Sequence, residues 1–446
     1  MPGPFAPTMA AATSLAIPTE DPPSFGHELR KYFSFDEDWI NLNHGSFGSC
    51  PAPVSRVYQH FQSLSEKRPD TFIRNCYPRL LVESRQAVAD LINAPLSSVV
   101  FVGNATIGVN TVLRGLQYSP GDSILYFDFI YGACGNTVLY IAESTAADAL
   151  RVEIQLPITD DDLISRFRSA VADCKGRVKL AVFDTIVSQP GVRLPFERLT
   201  VVCKELGILS LIDAAHGVGH IPLDIQKLDP DFITSNCHKW LFAPRGCAFL
   251  YVAERNQGLI RSTMPTSWGF VSLGAEQTRS PLPAVDGDDG WAKQFTFVGT
   301  TDGSSYLSVP AAIEFRKWIG GEKKIMEYTH TIAKKGADIF RDRFGTEIMD
   351  SYGEGGVGMY MIRLPLEMSQ VEQKEKVVDW ITGEMDSKGT YIAVVEYRGA
   401  WWCRVSGQVY LEEHDFVKGA DVLMELVEGV KSGQWLLESK LQEATI

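Results

Sequence analysis

Ile208 to Trp240 read ILSLIDAAHGVGHIPLDIQKLDPDFITSNCHKW. The stretch holds two short apolar runs, ILSLID and DFITSN, joined by polar, turn-rich chain. Asp213 closes the first run, and Lys239 stands three residues beyond the second, between His238 and Trp240. A carboxylate that ends an apolar strand is costly unless it caps a helix or meets a cation. Lysines ordinarily sit in water, so a lysine at the end of a buried strand asks for a reason. The two are one strand–helix–strand excursion apart, which lets both side chains reach one crevice.

The pattern continues outward from this stretch. SVVFV precedes GNAT and the helical IGVNTVLRGL. SILYFDF precedes IYGACGNTVLYIAES, VKLAVFD leads through TIVSQPGVRLP to FERLTVVCKELG, and GCAFLYV closes the series. Apolar β-rich runs alternating with helices from about Ser98 to Val252 predict an α/β domain with a mostly parallel, seven-stranded-type sheet between helices. Ligands bind such sheets at the carboxyl ends of the strands. After about Tyr306 the alternation stops. GEKKIMEYTHTIAKKGADIF is amphipathic, with Ile325, Tyr328, Ile332 and Ile339 near one face. VGMYMIRL, TYIAVVEY and WWCRVSGQVYL read as strands and FVKGADVLMELVEGV as a last helix, which predicts a smaller α+β domain. The expected division is a disordered arm over 1–24, a large domain over 25–305 whose first residues pack on the small one, and a small domain over 306–446. SPLPAVDGDDG, Ser280 to Gly290, reads as a surface loop.

The chain has 446 residues and a formal net charge of −13. It has no basic stripe for a phosphate backbone, so a nucleic-acid partner is not expected. The eight cysteines form no CxxC pair, which argues against a zinc site and for reduced thiols in a cytoplasmic protein. No lysine or arginine precedes Arg30 and no apolar run is long enough to span a bilayer, so neither a leader peptide nor a membrane is expected.

At the carboxyl end of the first strand, Gly103-Asn104-Ala105-Thr106 opens a helix. Free N–H groups there suit a phosphate, although Thr106 reads equally as an N-cap. A strand-end aspartate, a strand-end lysine and a phosphate-ready helix start together fit pyridoxal 5′-phosphate (PLP). Its aldehyde needs an amine, its ring nitrogen a carboxylate and its phosphate backbone donors.

These residues also carry a resemblance. NLNHGSFGSCP, VGNATIGVNTVLRG, YFDFIYGACGNT, VSQPGVRLPF, LIDAAHGVGH, SNCHKWLFAPRGCAFLYV, FVGTTDGSSYLSVPAAIEF and WCRVSGQVYL resemble the class V, fold type I PLP enzymes, in their isopenicillin N epimerase-like branch. Within that branch the chain is similar to the fungal hercynylcysteine sulfoxide C–S lyases and the loline-pathway PLP enzymes. The resemblance implies that Lys239 binds the cofactor's aldehyde, Asp213 pairs with its ring nitrogen and His216 approaches its phenolic oxygen, where many relatives carry Gln. It implies that Ala105, Thr106, Asn236 and His238 hold the phosphate, and that Thr300 reaches the phosphate of a neighbouring subunit in a homodimer with shared active sites. Tyr131 would lie over the ring or serve as an acid near the substrate side chain. Arg404 would clamp the carboxylate of an amino-acid substrate, with Asn43 and His44 on the substrate side.

The expected function is β-elimination with C–S cleavage on a β-substituted amino acid. The alternative is a secondary-metabolism enzyme that forms, rearranges or epimerises a bond at the α- or β-carbon. A desulfurase needs a mobile cysteine on a small-domain loop, and the small domain offers only Cys403, in a strand pattern beside Arg404. A non-catalytic binding protein would have no reason to keep Lys239, Asp213 and Arg404 together.

Overall fold

The computed structural model describes residues 5–274, 282–283, 285–287, 290–349, 356–367 and 373–436. The chain forms two compact units. The first comprises 1–22, 48–187 and 193–322, and the second 23–47, 188–192 and 323–446.

Seven strands build the sheet of the first unit: β1 Val99–Val102, β2 Asp122–Phe127, β3 Asp148–Val152, β4 Arg177–Asp184, β5 Leu209–Asp213, β6 Phe232–Asn236 and β7 Ala248–Val252. Their spatial order is β1-β7-β6-β5-β4-β2-β3. The pairs among β2 to β6 are parallel, and β7 runs antiparallel to both its neighbours. This is the mostly parallel sheet that the alternating runs predict. The central strands β5, β6 and β7 are buried almost throughout, which is why they read as unbroken apolar runs. The edge strand β3 escapes such a reading: DALRV carries exposed positions and no apolar run. Val109, Val112 and Leu113 of helix Ala105–Gly115 join Leu180, Leu211, Phe232 and Leu250 in one apolar core. That packing fixes the helix start beside the ends of β5 and β6.

Two expectations about division are corrected. The boundary lies at 322 rather than 305, because Leu307, Val309, Ala312 and Phe315 are buried as helices Ser304–Leu307 and Val309–Trp318 pack on Ala52–Lys67 and Tyr77–Leu91. The described part of the arm is ordered: Met9–Thr13 is helical, its N-cap Thr8 accepts from the Ala11 N–H, and Met9, Ala12 and Ala16 are buried. The alanine-rich composition that suggested disorder instead supplies small side chains for close packing.

In the second unit β8 Met359–Arg363, β9 Ala393–Tyr397 and β10 Ala400–Ser406 form an antiparallel sheet with β10 in the centre. Ile40–Asn41 pairs in parallel with Thr390–Tyr391, which ties the entry segment 23–47 to this unit. On helix Gly321–Phe344, Ile325, Ile332 and Phe340 face inward, and Ile339 lies one position off the buried stripe. Of the Ser280 to Gly290 loop, positions 280, 281, 284, 288 and 289 lie outside the described residues.

Candidate active site

Asp213 ends β5 and its carboxylate is 2% exposed. Oδ1 accepts from the Ala215 N–H at 2.9 Å and Oδ2 from the Cys134 thiol at 3.3 Å. Parallel pairing of β4 with β5 sets Asp184 directly beside it. Against their burial, the Lys239 charge acts on both carboxylates and lowers their pKa values. Burial pushes the Asp213 pKa up, against the Ala215 and Cys134 hydrogen bonds and the Lys239 charge. Burial and then the Asp213 charge push Asp184 well above the carboxylate range. Two carboxylates placed together in an apolar floor call for a cation there. Asp184 was not among the sequence candidates. Its VKLAVFD run ends on aspartate as ILSLID does, and that shared ending was the available signal.

Lys239 lies in the turn after β6, with Nζ 3.1 Å from His216 Nε2. Ser235 locks this turn to the Asp213 loop: its hydroxyl donates to the Ala214 carbonyl and accepts from the Val218 N–H at 3.0 Å. Gly48, of the entry motif, permits a close approach, since a Cβ there would sit 2.0 Å from the His238 carbonyl oxygen.

The phosphate candidates divide. The N-cap of helix Ala105–Gly115 is Asn104, whose side chain accepts from the Ile107 N–H at 2.9 Å, so Thr106 is not the cap. The Ala105 N–H donates to Asn236 Oδ1 at 2.9 Å, which ties the helix start to the end of β6 and leaves Asn236 its amide N–H pair to offer. His238 Nδ1 donates to the Cys247 carbonyl at 2.9 Å, so a neutral ring offers only a lone pair on Nε2. Burial holds its pKa down at about 4, and Lys239 and Arg245 add to the effect. His238 therefore donates to a phosphate only as an imidazolium, a form that a phosphate dianion would favour. Thr106, with its N–H at the open start of the helix, and the Asn236 amide remain the ready donors.

Tyr131 precedes helix Gly132–Ser144 and is 49% exposed. Thr300 is exposed on a loop that borders a cavity of about 300 Å3, and Asp302 in that loop accepts from Gln62 Nε2 and the Tyr58 hydroxyl.

In the second unit Arg404, on β10, is 1% exposed. Nη1 donates to the Ser188 carbonyl at 2.7 Å, and Nη2 to Asn43 Oδ1 at 2.8 Å and Ser46 Oγ at 2.6 Å. All these partners are neutral, and Nε has none. Burial pulls the Arg404 pKa down to about 10. This is a desolvated cation oriented by oxygens and left without a counter-charge, the arrangement that receives a carboxylate. Asn43 lies beside Arg404, as the acceptor that orients it. His44 is 1% exposed, and its Nδ1 takes the Tyr410 hydroxyl at 3.0 Å in a cluster that Asn41 completes. Ser46 and Ser188 are further members of the arginine cluster that sequence reasoning missed.

Residues 56–351 match the Aminotransferase class-V family, and the chain belongs to it. It is 36% identical to the L-cysteine desulfhydrase-like protein lolT1 of Epichloe uncinata, over 91% of this chain and 96% of that one. It is 33% identical to the hercynylcysteine sulfoxide lyase of Schizosaccharomyces pombe, over 90% and 97% of the two chains. The solved cystine C–S lyase C-DES superposes with a TM-score of 0.71 at 18% identity, covering 87% of this chain and 98% of that one. The chain is a fold type I PLP enzyme. The residues present fit that cofactor: buried carboxylates await a cationic ring, and an open helix start and the Asn236 amide await an anion.

Proposed function

We propose that this protein is a C–S lyase that β-eliminates a sulfur group from a β-substituted amino acid. The observation that carries the reading is the floor of buried Asp213 and His216 with half-buried Lys239, in a chain similar over nine-tenths of its length to proteins named as a desulfhydrase-like protein and a sulfoxide lyase. PLP, when bound, supplies an electron sink conjugated to the substrate's α-carbon.

The chain's own groups then act as follows. Asp213 balances a positive charge at the ring nitrogen from a site where water does not compete. Lys239 Nζ takes the proton from the substrate's α-carbon and can hand it to the departing sulfur group. Arg404 binds the substrate carboxylate through two parallel N–H bonds and so fixes its plane. Thr106 and Asn236 hold the phosphate, with His238 as imidazolium. Tyr131 offers an exposed phenol as ring cover or side-chain acid. Thr300 serves a second subunit, making the working form a homodimer. Cys403 is fully buried in β10 and burial pushes its thiol pKa up, which disfavours a desulfurase nucleophile. The eight cysteines are all free, in keeping with a cytoplasmic enzyme, here assigned to secondary metabolism.

The experiment is to supply purified, PLP-loaded protein with cysteine, cystine, S-alkylcysteines and their sulfoxides. Release of pyruvate or another 2-oxo acid in step with the sulfur product is expected. Exchange of α-hydrogen in deuterium oxide with no sulfur release from any of them would instead favour the epimerase-type or bond-forming alternative.

A further inference from the structure

Trp240 follows the lysine, and its indole N–H can only donate. That group lies 3.2 Å from His216 Nδ1. A ring nitrogen that accepts from an indole carries no proton. A neutral imidazole then holds its one proton on Nε2, the nitrogen 3.1 Å from Lys239 Nζ. We propose that Trp240 fixes His216 in the Nε2–H tautomer, making His216 a donor toward Lys239 whenever that amine is neutral, rather than an acceptor of its proton. Trp240 is thus a positioning residue that acts through His216.

The surroundings hold this geometry from three sides. The His220 ring stacks on the indole, with centroids 3.8 Å apart and planes at 20°, and its Nδ1–H donates to the His216 carbonyl at 2.9 Å. Arg316 is completely buried. Its Nη1 donates to the Trp240 carbonyl at 2.7 Å and its Nη2 to the Gly219 carbonyl at 3.0 Å, while Glu322 takes its other face at 2.5 and 2.7 Å. Gly219 has a φ of +77°, and a Cβ there would lie 2.6 Å from the Trp240 carbonyl oxygen. One guanidinium therefore clamps the backbone that carries His216 to the backbone that carries Lys239, at a point only glycine can occupy. A ring held this way has no freedom to exchange tautomers by turning over.

The assignment matters for the base. A histidine free to choose its tautomer could compete with Lys239 for the α-proton. One fixed as Nε2–H presents a donor, as a side-chain amide at the same place would. This consequence for turnover rests on the lyase reading; the tautomer itself does not.

The test begins with unaltered protein stripped of PLP, labelled with 15N-histidine and held at a pH alkaline enough to leave the Lys239 amine neutral, His216 being assigned by the resonances lost in His216→Gln. The expected spectrum shows an unprotonated Nδ1 and a protonated Nε2. A protonated Nδ1 would overturn the proposal, whatever the enzyme's reaction. The second arm is a cycle on the loaded enzyme. Trp240→Phe should lower kcat about fivefold or more with His216 present and less than about twofold in a His216→Gln background, since neighbours that act together are non-additive. Equal losses in both backgrounds would mean that Trp240 acts only by packing.

Discussion

The floor around Lys239 and the cluster around Arg404 bury charge in opposite senses. In the first unit two carboxylates, Asp184 and Asp213, stand together with pKa values that burial raises against the Lys239 charge. In the second a guanidinium is held by two serines and an asparagine, with no carboxylate and a lowered pKa. Each region is desolvated ahead of its ligand and is complete only when the opposite charge arrives. On the proposed reading one receives a cationic ring, the other an anionic group of an amino acid. On the same reading the difference separates chemistry from orientation: the lysine floor would move the proton, and the arginine cluster would decide which way the substrate lies.

The sharpest way to break that division is to remove the amine. Lys239→Ala should reduce turnover by at least about 10^3-fold, since no neighbour replaces a nucleophile and base in one group. Steady-state 2-oxo acid release measures this, and near-normal release would place the chemistry elsewhere.

Asp213→Asn comes next. Turnover should fall roughly 10^2–10^3-fold, the scale of one lost preorganised electrostatic partner. The stability of the PLP-free protein should move the other way. An aspartate whose folded pKa is raised favours folding only at pH low enough to keep it protonated. That contribution is lost as pH rises from the unfolded value through the raised one. Thermal melts of PLP-free protein should therefore show Asp213→Asn gaining on the unaltered protein as pH is raised from 4 to 8. A mutant melting lower at pH 8 by the same margin as at pH 4 would deny that burial raises the pKa of this carboxylate.

For the arginine cluster the effect is smaller and more selective. Arg404→Lys keeps the charge and loses the planar fork, which should cost on the order of 2–4 kcal/mol in kcat/KM. The ratio of kcat/KM for an amino acid to that for its carboxamide should collapse in the mutant. An unchanged ratio would assign the carboxylate to another residue. Thr300→Ala should have the mildest consequence, about a tenfold weaker hold on PLP, the scale of one lost hydrogen bond to a charged group. A fully active monomer in sedimentation would remove the second subunit from the site.

How far the sequence spoke depended on what each residue answers to. The central strands were legible because both faces are buried, and β3 was not because an edge strand need not be apolar. Asp213 and Lys239 were legible because a charge at a buried strand end breaks the local pattern. Arg404 needed the resemblance, since an arginine in a strand usually faces solvent. The partners Ser46, Ser188 and Cys134 are small residues from segments distant in the chain, and nothing in their local sequence announces whom they meet. The hydroxyl partner of His44 was hidden for the same reason: Tyr410 lies 366 residues away.

The central claim is that the lysine at the end of β6 carries the cofactor. Loaded protein is reduced with borohydride, digested and mapped by mass spectrometry. The account predicts a single phosphopyridoxyl adduct, on Lys239, and its disappearance in Lys239→Ala. An adduct on any other lysine, or none on Lys239 in active protein, would contradict it.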